Sequence, residues 1–190
     1  MSKFRIGRVA VLVAATVTIA VPITGCSSHV DDGPKVDWAS GVCDSVQDVG
    51  SQLTLPTADQ KDAKKYYSEV VTFLDALGSQ LGALDKKVRR DGAPPVDGGT
   101  AAYKKALANL GDARSSLADT TAKLKDAKVV DEKSLKAALQ KAGAGMDKVT
   151  AYQGPAHDFR ADPALRKAFD EAPECANLPG AGASASPAAP

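Results

Sequence analysis

The chain has 190 residues, with 24 Lys and Arg against 23 Asp and Glu, a formal net charge of +1 and a single Trp. So balanced a charge sets up no field to draw in a polyanion, and the reading therefore includes no nucleic-acid partner. The length suits one ordinary domain and leaves too little chain for a two-lobed α/β solute receptor. Residues 1–8 carry Lys3, Arg5 and Arg8 with no acidic residue, and residues 9–21 (VAVLVAATVTIAV) are apolar apart from two threonines. This is the charged start and short apolar run of a secretory signal. The uncharged stretch from Val9 to Gly25 falls just under the roughly 18–20 residues a spanning helix needs, and Pro22 interrupts its end. Arg5 and Arg8 are not adjacent, so the general secretion route is expected over the twin-arginine route.

Directly after the apolar run stands Ile23-Thr24-Gly25-Cys26: an aliphatic residue, a small residue, Gly, then Cys. The stretch resembles the lipobox of bacterial lipoproteins, a resemblance that covers the first 26 residues. It implies cleavage between Gly25 and Cys26 and a diacylglyceryl group on the Cys26 sulfur. Each buried methylene contributes about 0.8 kcal/mol, so one acyl chain holds marginally and two hold firmly. The expected location is then the outer face of the cell membrane, with the membrane itself as first partner through the anchor. Removing residues 1–25 takes away three basic residues and no acidic ones, leaving 21 against 23, a net charge of −2. The composition also resembles that of small uncharacterised lipoproteins of high-GC Gram-positive bacteria, which implies no activity. The expected organisation is a signal peptide over 1–25, a lipidated tether over 26–35, a helical domain over 36–177 and a disordered tail over 178–190. His29, in the tether, reads as a solvated spacer residue.

Trp38, Val42, Val46, Val49 and Leu53 recur at helical spacing, predicting a first helix from an Asp37 cap to Leu53. Leu55-Pro56 closes it, since the residue before proline is pushed out of helical geometry. Thr57 followed by Gln60 has the capping-box pattern. Tyr66, Val70, Phe73, Leu77, Leu81, Leu84 and Val88 then form a nearly regular seam. The second helix is predicted over Thr57–Arg90, about 50 Å long at 1.5 Å per residue. Gly- and Pro-rich residues 91–99 make a turn, and Thr100 offers the next cap. The third helix carries Tyr103, Leu107, Leu110, Leu117 and Leu124 with Ala106 and Ala113 beside them. Asp131 caps a fourth helix through Leu135, Leu139, Ala142, Met146 and Val149, weakened by Gly143 and Gly145 at roughly 1 kcal/mol each. Gly154-Pro155 ends it, and Asp162-Pro163 starts a short fifth helix with Leu165, Ala168 and Phe169 on its apolar face. The expected fold class is all-α, an up-and-down bundle of four helices plus a short C-terminal one.

Cys43 and Cys175 are an even pair in a chain expected outside the cytoplasm, which predicts a disulfide. Closing so long a loop stabilises by roughly 4–5 kcal/mol in the chain-entropy picture. A zinc site from Cys43, Cys175, His29 and His157 lacks any ligand spacing. A di-metal carboxylate site needs Glu-x-x-His pairs, and the only glutamates are Glu69, Glu132, Glu171 and Glu174, none so placed. Haem, phosphate-loop and nucleophile-elbow motifs are absent too, so neither a cofactor nor a catalytic residue is assigned. His157-Asp158 is the nearest thing to a catalytic pair, but it falls in a linker and adjacent residues rarely point the same way. Gly78 and Gly82 form a Gly-x-x-x-Gly, read as close helix packing because charged neighbours exclude a membrane setting. Tyr66 reads as core and Tyr67 as its margin. The expected role is a non-catalytic envelope interaction or accessory module, with an envelope protein or polymer as partner. The alternative is a carrier of a small apolar ligand or lipid in the bundle interior.

Overall fold

Asp32, Gly33 and Pro34 open the first helix of a computed structural model that describes residues 32–178. Pro34 sits in the first turn, where a missing N–H costs nothing, so α1 (Gly33–Gly50) begins inside the stretch expected to be tether. Its N-cap is Asp32, not Asp37, and Lys35 and Lys167 each reach that carboxylate at 3.0 Å. The helix also stops earlier than Leu53. Ala39, Val42, Cys43 and Val49 are buried along it, with Trp38 and Val46 at the margin.

α2 (Ala63–Asp91) starts six residues after the Thr57 box. The Asp62 carboxylate accepts from the Lys65 amide at 3.2 Å and caps it. The Thr57 and Ala58 amides are instead taken by the Glu69 carboxylate, each at 2.8 Å. That gives these amides a side-chain partner from within α2, and it removes the reason for a helix to begin at Thr57. Gly98, with φ of +76°, caps α3 (Gly99–Lys125), two residues ahead of the expected Thr100 cap. α2 and α3 run antiparallel: the Tyr103 hydroxyl lies by the Arg89 carbonyl at one end, and the Tyr67 hydroxyl donates to the Leu124 carbonyl at 2.7 Å at the other.

α4 (Glu132–Gly143) is capped by Asp131 as expected, with Ser134 returning the bond in a reciprocal box. The predicted fourth helix does not continue. It breaks at Ala144-Gly145-Met146 and resumes as α5 (Asp147–Ala151). The cause is tertiary: the Ser116 hydroxyl donates to the Gly145 carbonyl at 2.9 Å, and a β-carbon on Gly145 would lie 2.5 Å from the Thr120 hydroxyl. Residues expected as linker form α6 (Pro155–Arg160), and α7 (Pro163–Glu171) starts on the Asp162 cap as the sequence predicts. A 3-10 turn over Pro173–Cys175 follows. Leu178, expected in the tail, packs against the core.

The described residues contain no strand, and the class is all-α. In place of four long helices, α2 and α3 form a two-helix spine whose ends are covered differently. α1 lies antiparallel to the C-terminal half of α2, the Trp38 indole donating to the Gly92 carbonyl and Gln80 to Gln52. With α6 and α7 it encloses the first core, where Trp38 stands edge-on to Phe159 and Phe169 at 4.7 and 6.0 Å. α4 and α5 cover the other end, packing Ala138, Ala142, Met146 and Val149 on Leu74, Leu117 and Leu124. No helix of the described residues is long and apolar enough to cross a membrane.

Candidate functional site

The apolar seam of α2 faces α1 at one end and α4 at the other, and beside it runs a stripe of small residues, Gly78, Ser79, Gly82 and Ala83. Across from them α3 presents Ala118, Thr121 and Ala122. Between the two stripes lies an open groove of about 730 Å³, floored in part by Leu74 and Leu117. Its rim is charged, with Asp75 and Lys86 on α2 and Arg114 and Lys125 on α3.

Two of these charges are held by carboxylates of α2, one outside the groove and one on its rim. Asp85, on the flank of α2, is only 8% exposed, and its Oδ2 accepts from Arg89 Nε at 2.9 Å while Arg114 Nη1 stands 3.4 Å away. The pairing holds the Arg89 guanidinium more firmly protonated. At the far end Lys125 Nζ reaches Asp75 at 2.8 Å. Arg114 and Lys125 are thus positioned, while Lys86 has no ion-pair partner among the described residues. A shallow trough with a small-residue floor and a charged rim suits a helix or extended segment better than a small molecule, which is normally enclosed far more completely.

The sequence-predicted residues fall elsewhere. Cys26 and His29 lie outside the described residues. Cys43 and Cys175 come together at bonding distance, with Cα atoms 5.1 Å apart, joining the middle of α1 to the terminal turn. Near them Gln47 donates to the Glu174 carbonyl. The pair walls a small, partly open pocket of about 130 Å³, together with Val46, Ala156, Phe169 and Leu178, and His157 and Arg160 also line it. His157 and Asp158 lie on α6, not in a linker, and point apart. Asp158 turns to α3, where Asn109 donates to its Oδ1 at 3.0 Å. Its Oδ2 and the Tyr152 hydroxyl are buried without hydrogen-bond partners among the described residues. Burial lifts the Asp158 carboxyl above the usual carboxylate range, and burial plus the nearby Asp158 charge raises the Tyr152 phenol.

Tyr67 packs at the margin of the second core as expected, its hydroxyl donating to the Leu124 carbonyl, whereas Tyr66, expected in the core, is half-buried and packs with neither core. The glutamates serve separate ends: Glu69 holds the loop before α2, Glu132 opens α4, Glu171 stands 3.6 Å from Lys167, and Glu174 sits in the terminal turn. No group of three or more His, Cys, Asp or Glu among the described residues is placed to hold a metal ion.

Gly78 and Gly82 were legible as a motif, but their place was not. A β-carbon on Gly78 would lie 3.8 Å from Leu117 Cδ2 and one on Gly82 would lie 3.6 Å from Arg114 Nη2, both ordinary contacts. Close packing of α2 on α3 does not require these glycines, which corrects that expectation. Comparison of the chain with family models, with curated proteins and with solved structures finds no match.

Proposed function

We propose that the chain is a lipid-anchored, extracytoplasmic helical module with no catalytic role, which docks an envelope partner along the α2–α3 groove. The groove carries this reading: it is a trough on the spine of the fold that no other described element covers, with a charged rim whose Arg114 and Lys125 are held in place by Asp85 and Asp75. Location rests on Cys26 and the residues before it. The N-cap of α1, Asp32, comes six residues after Cys26, and at no more than about 3.6 Å per residue that much chain reaches roughly 20 Å at most. The short tether favours partners at the membrane surface.

A lipid carrier is supported less well. The partly open pocket beside Cys43 and Cys175 has about 130 Å³, comparable to an engineered cavity that admits a benzene, well short of an acyl chain.

A photo-crosslinking amino acid placed at Ser79 in the groove, in cells that make the protein, tests the docking. The reading predicts a discrete adduct from Ser79 and none from Lys136, an exposed position on α4. Silence from Ser79, or equal labelling from both positions, counts against it.

A further inference from the structure

Gly78 and Gly82 stand in the middle of a 29-residue helix, where glycine weakens the helix relative to alanine. Nothing within the chain asks for them, since a β-carbon at either position would make only ordinary contacts. What they do is keep one face of α2 flat.

The charges on that face follow an order. Asp75, Gly78, Ser79, Gly82, Ala83 and Lys86 all line the groove, and steps of three and four place them on one stripe. Reversed end to end about the midpoint between Gln80 and Leu81, the stripe is its own complement: Asp75 exchanges with Lys86, Gly78 with Ala83, and Ser79 with Gly82. The facing stripe of α3 lacks this property, because there Arg114 exchanges with Lys125 and like charges meet. Lys86, exposed on the rim, has no ion-pair partner within its own chain among the described residues.

We infer that the occupant of the groove is a second copy of this chain, docked α2 against α2 in antiparallel register about a two-fold axis through that midpoint. The inference deepens the groove reading above and rests on it. Each Lys86 then faces the partner's Asp75, a half-exposed carboxylate that also keeps Lys125 of its own chain at 2.8 Å, and Gly78, Ser79, Gly82 and Ala83 allow the two helix axes to approach closely. A two-fold axis relating antiparallel helices stands perpendicular to both. Two copies anchored in one bilayer therefore lie with α2 along the membrane surface, and anchoring raises their effective concentration for the contact.

Sedimentation of the full lipidated chain in detergent tests this, with crosslinking from Ser79 in cells as the second readout. The native chain is expected to be a dimer. Lys86→Asp is expected to weaken self-association about tenfold or more, because both charge contacts become repulsive. Lys86→Arg, which keeps the charge, is expected to leave it intact. Gly82→Ala is expected to weaken the dimer while the chain keeps its fold, since the added β-carbon meets only an ordinary contact with Arg114 of its own chain. A native chain that is monomeric at every concentration overturns the inference, as does a dimer indifferent to all these changes. A monomer that crosslinks from Ser79 to a different protein sinks the second copy but leaves the groove reading standing. An indifferent dimer with Ser79 silent sinks both.

Discussion

Arg114 on α3 stands 3.4 Å from the buried carboxylate of Asp85 on α2, and this ion pair fixes one rim of the groove to the spine beneath it. Arg89 shares the same Oδ2, so a single oxygen serves two guanidinium groups. Both arginines are well exposed and keep water when the carboxylate is removed. Asp85→Ala is therefore expected to lower the unfolding free energy by about 1–2 kcal/mol, less than the loss of a fully buried pair. Urea unfolding of the two proteins measures it. A change near zero would mean that Asp85 does not hold Arg114.

Cys43 and Cys175 tie the middle of α1 to the last turn of the described chain across 132 residues of sequence. Thiol labelling of unfolded, unreduced protein is expected to miss both. Replacing both by Ala is expected to lower stability by roughly 2–5 kcal/mol, since the open chain gains freedom chiefly in the unfolded state. Quantitative labelling of both cysteines would show that the bridge is not made.

Gly145 lies where α3 leaves no room for a side chain. Gly145→Ala puts a β-carbon against the Thr120 hydroxyl, and the α4–α5 segment must shift off the Ser116 bond. The expected cost is about 1–3 kcal/mol. Gly143→Ala, two residues earlier with open space around its position, is expected to be neutral or mildly stabilising. Thermal unfolding of the two variants side by side checks the contrast, and equal effects would refute it.

These positions also show what the sequence can and cannot reveal. Asp131 and Asp162-Pro163 announce their helices because capping and the fixed proline φ are local effects, complete within four residues. The start of α2 was displaced because Thr57 and Ala58 satisfy their amides on Glu69, eleven or twelve residues away. The break after α4 depends on Ser116 and Thr120 of another helix, and α6 is too short for any periodicity to register. Most of the α2 seam, from Val70 to Val88, was legible from spacing alone. The groove was not, since a hydrophobic pattern identifies the face that must be buried but not whether a further element covers the face beside it.

Asp158 gives the protein a pH response of opposite sign to its capping carboxylates. Burial holds its folded value above its unfolded one, so its contribution is most favourable at low pH and is lost as the pH rises through the folded value. Lys105 and His157 act against that shift without cancelling it. Asp158→Asn keeps an acceptor for Asn109 and removes the charge. The variant is expected to melt higher than the native protein at pH 7, with the gap closing toward pH 4. Asp32 and Asp131, held low by Lys35 and Ser134, should lose their stabilisation as the pH falls through their folded values. A gap between variant and native protein that widens toward acid would contradict this assignment for Asp158.

Placement at the membrane underlies every role proposed above, and it depends on Cys26. The intact mass of the mature protein, purified from the membranes of the cell that makes it, tests that directly. The account predicts a chain beginning at Cys26 and carrying the added mass of a diacylglyceryl group. A chain that begins at any other residue, or one whose Cys26 carries no acyl mass, would contradict it.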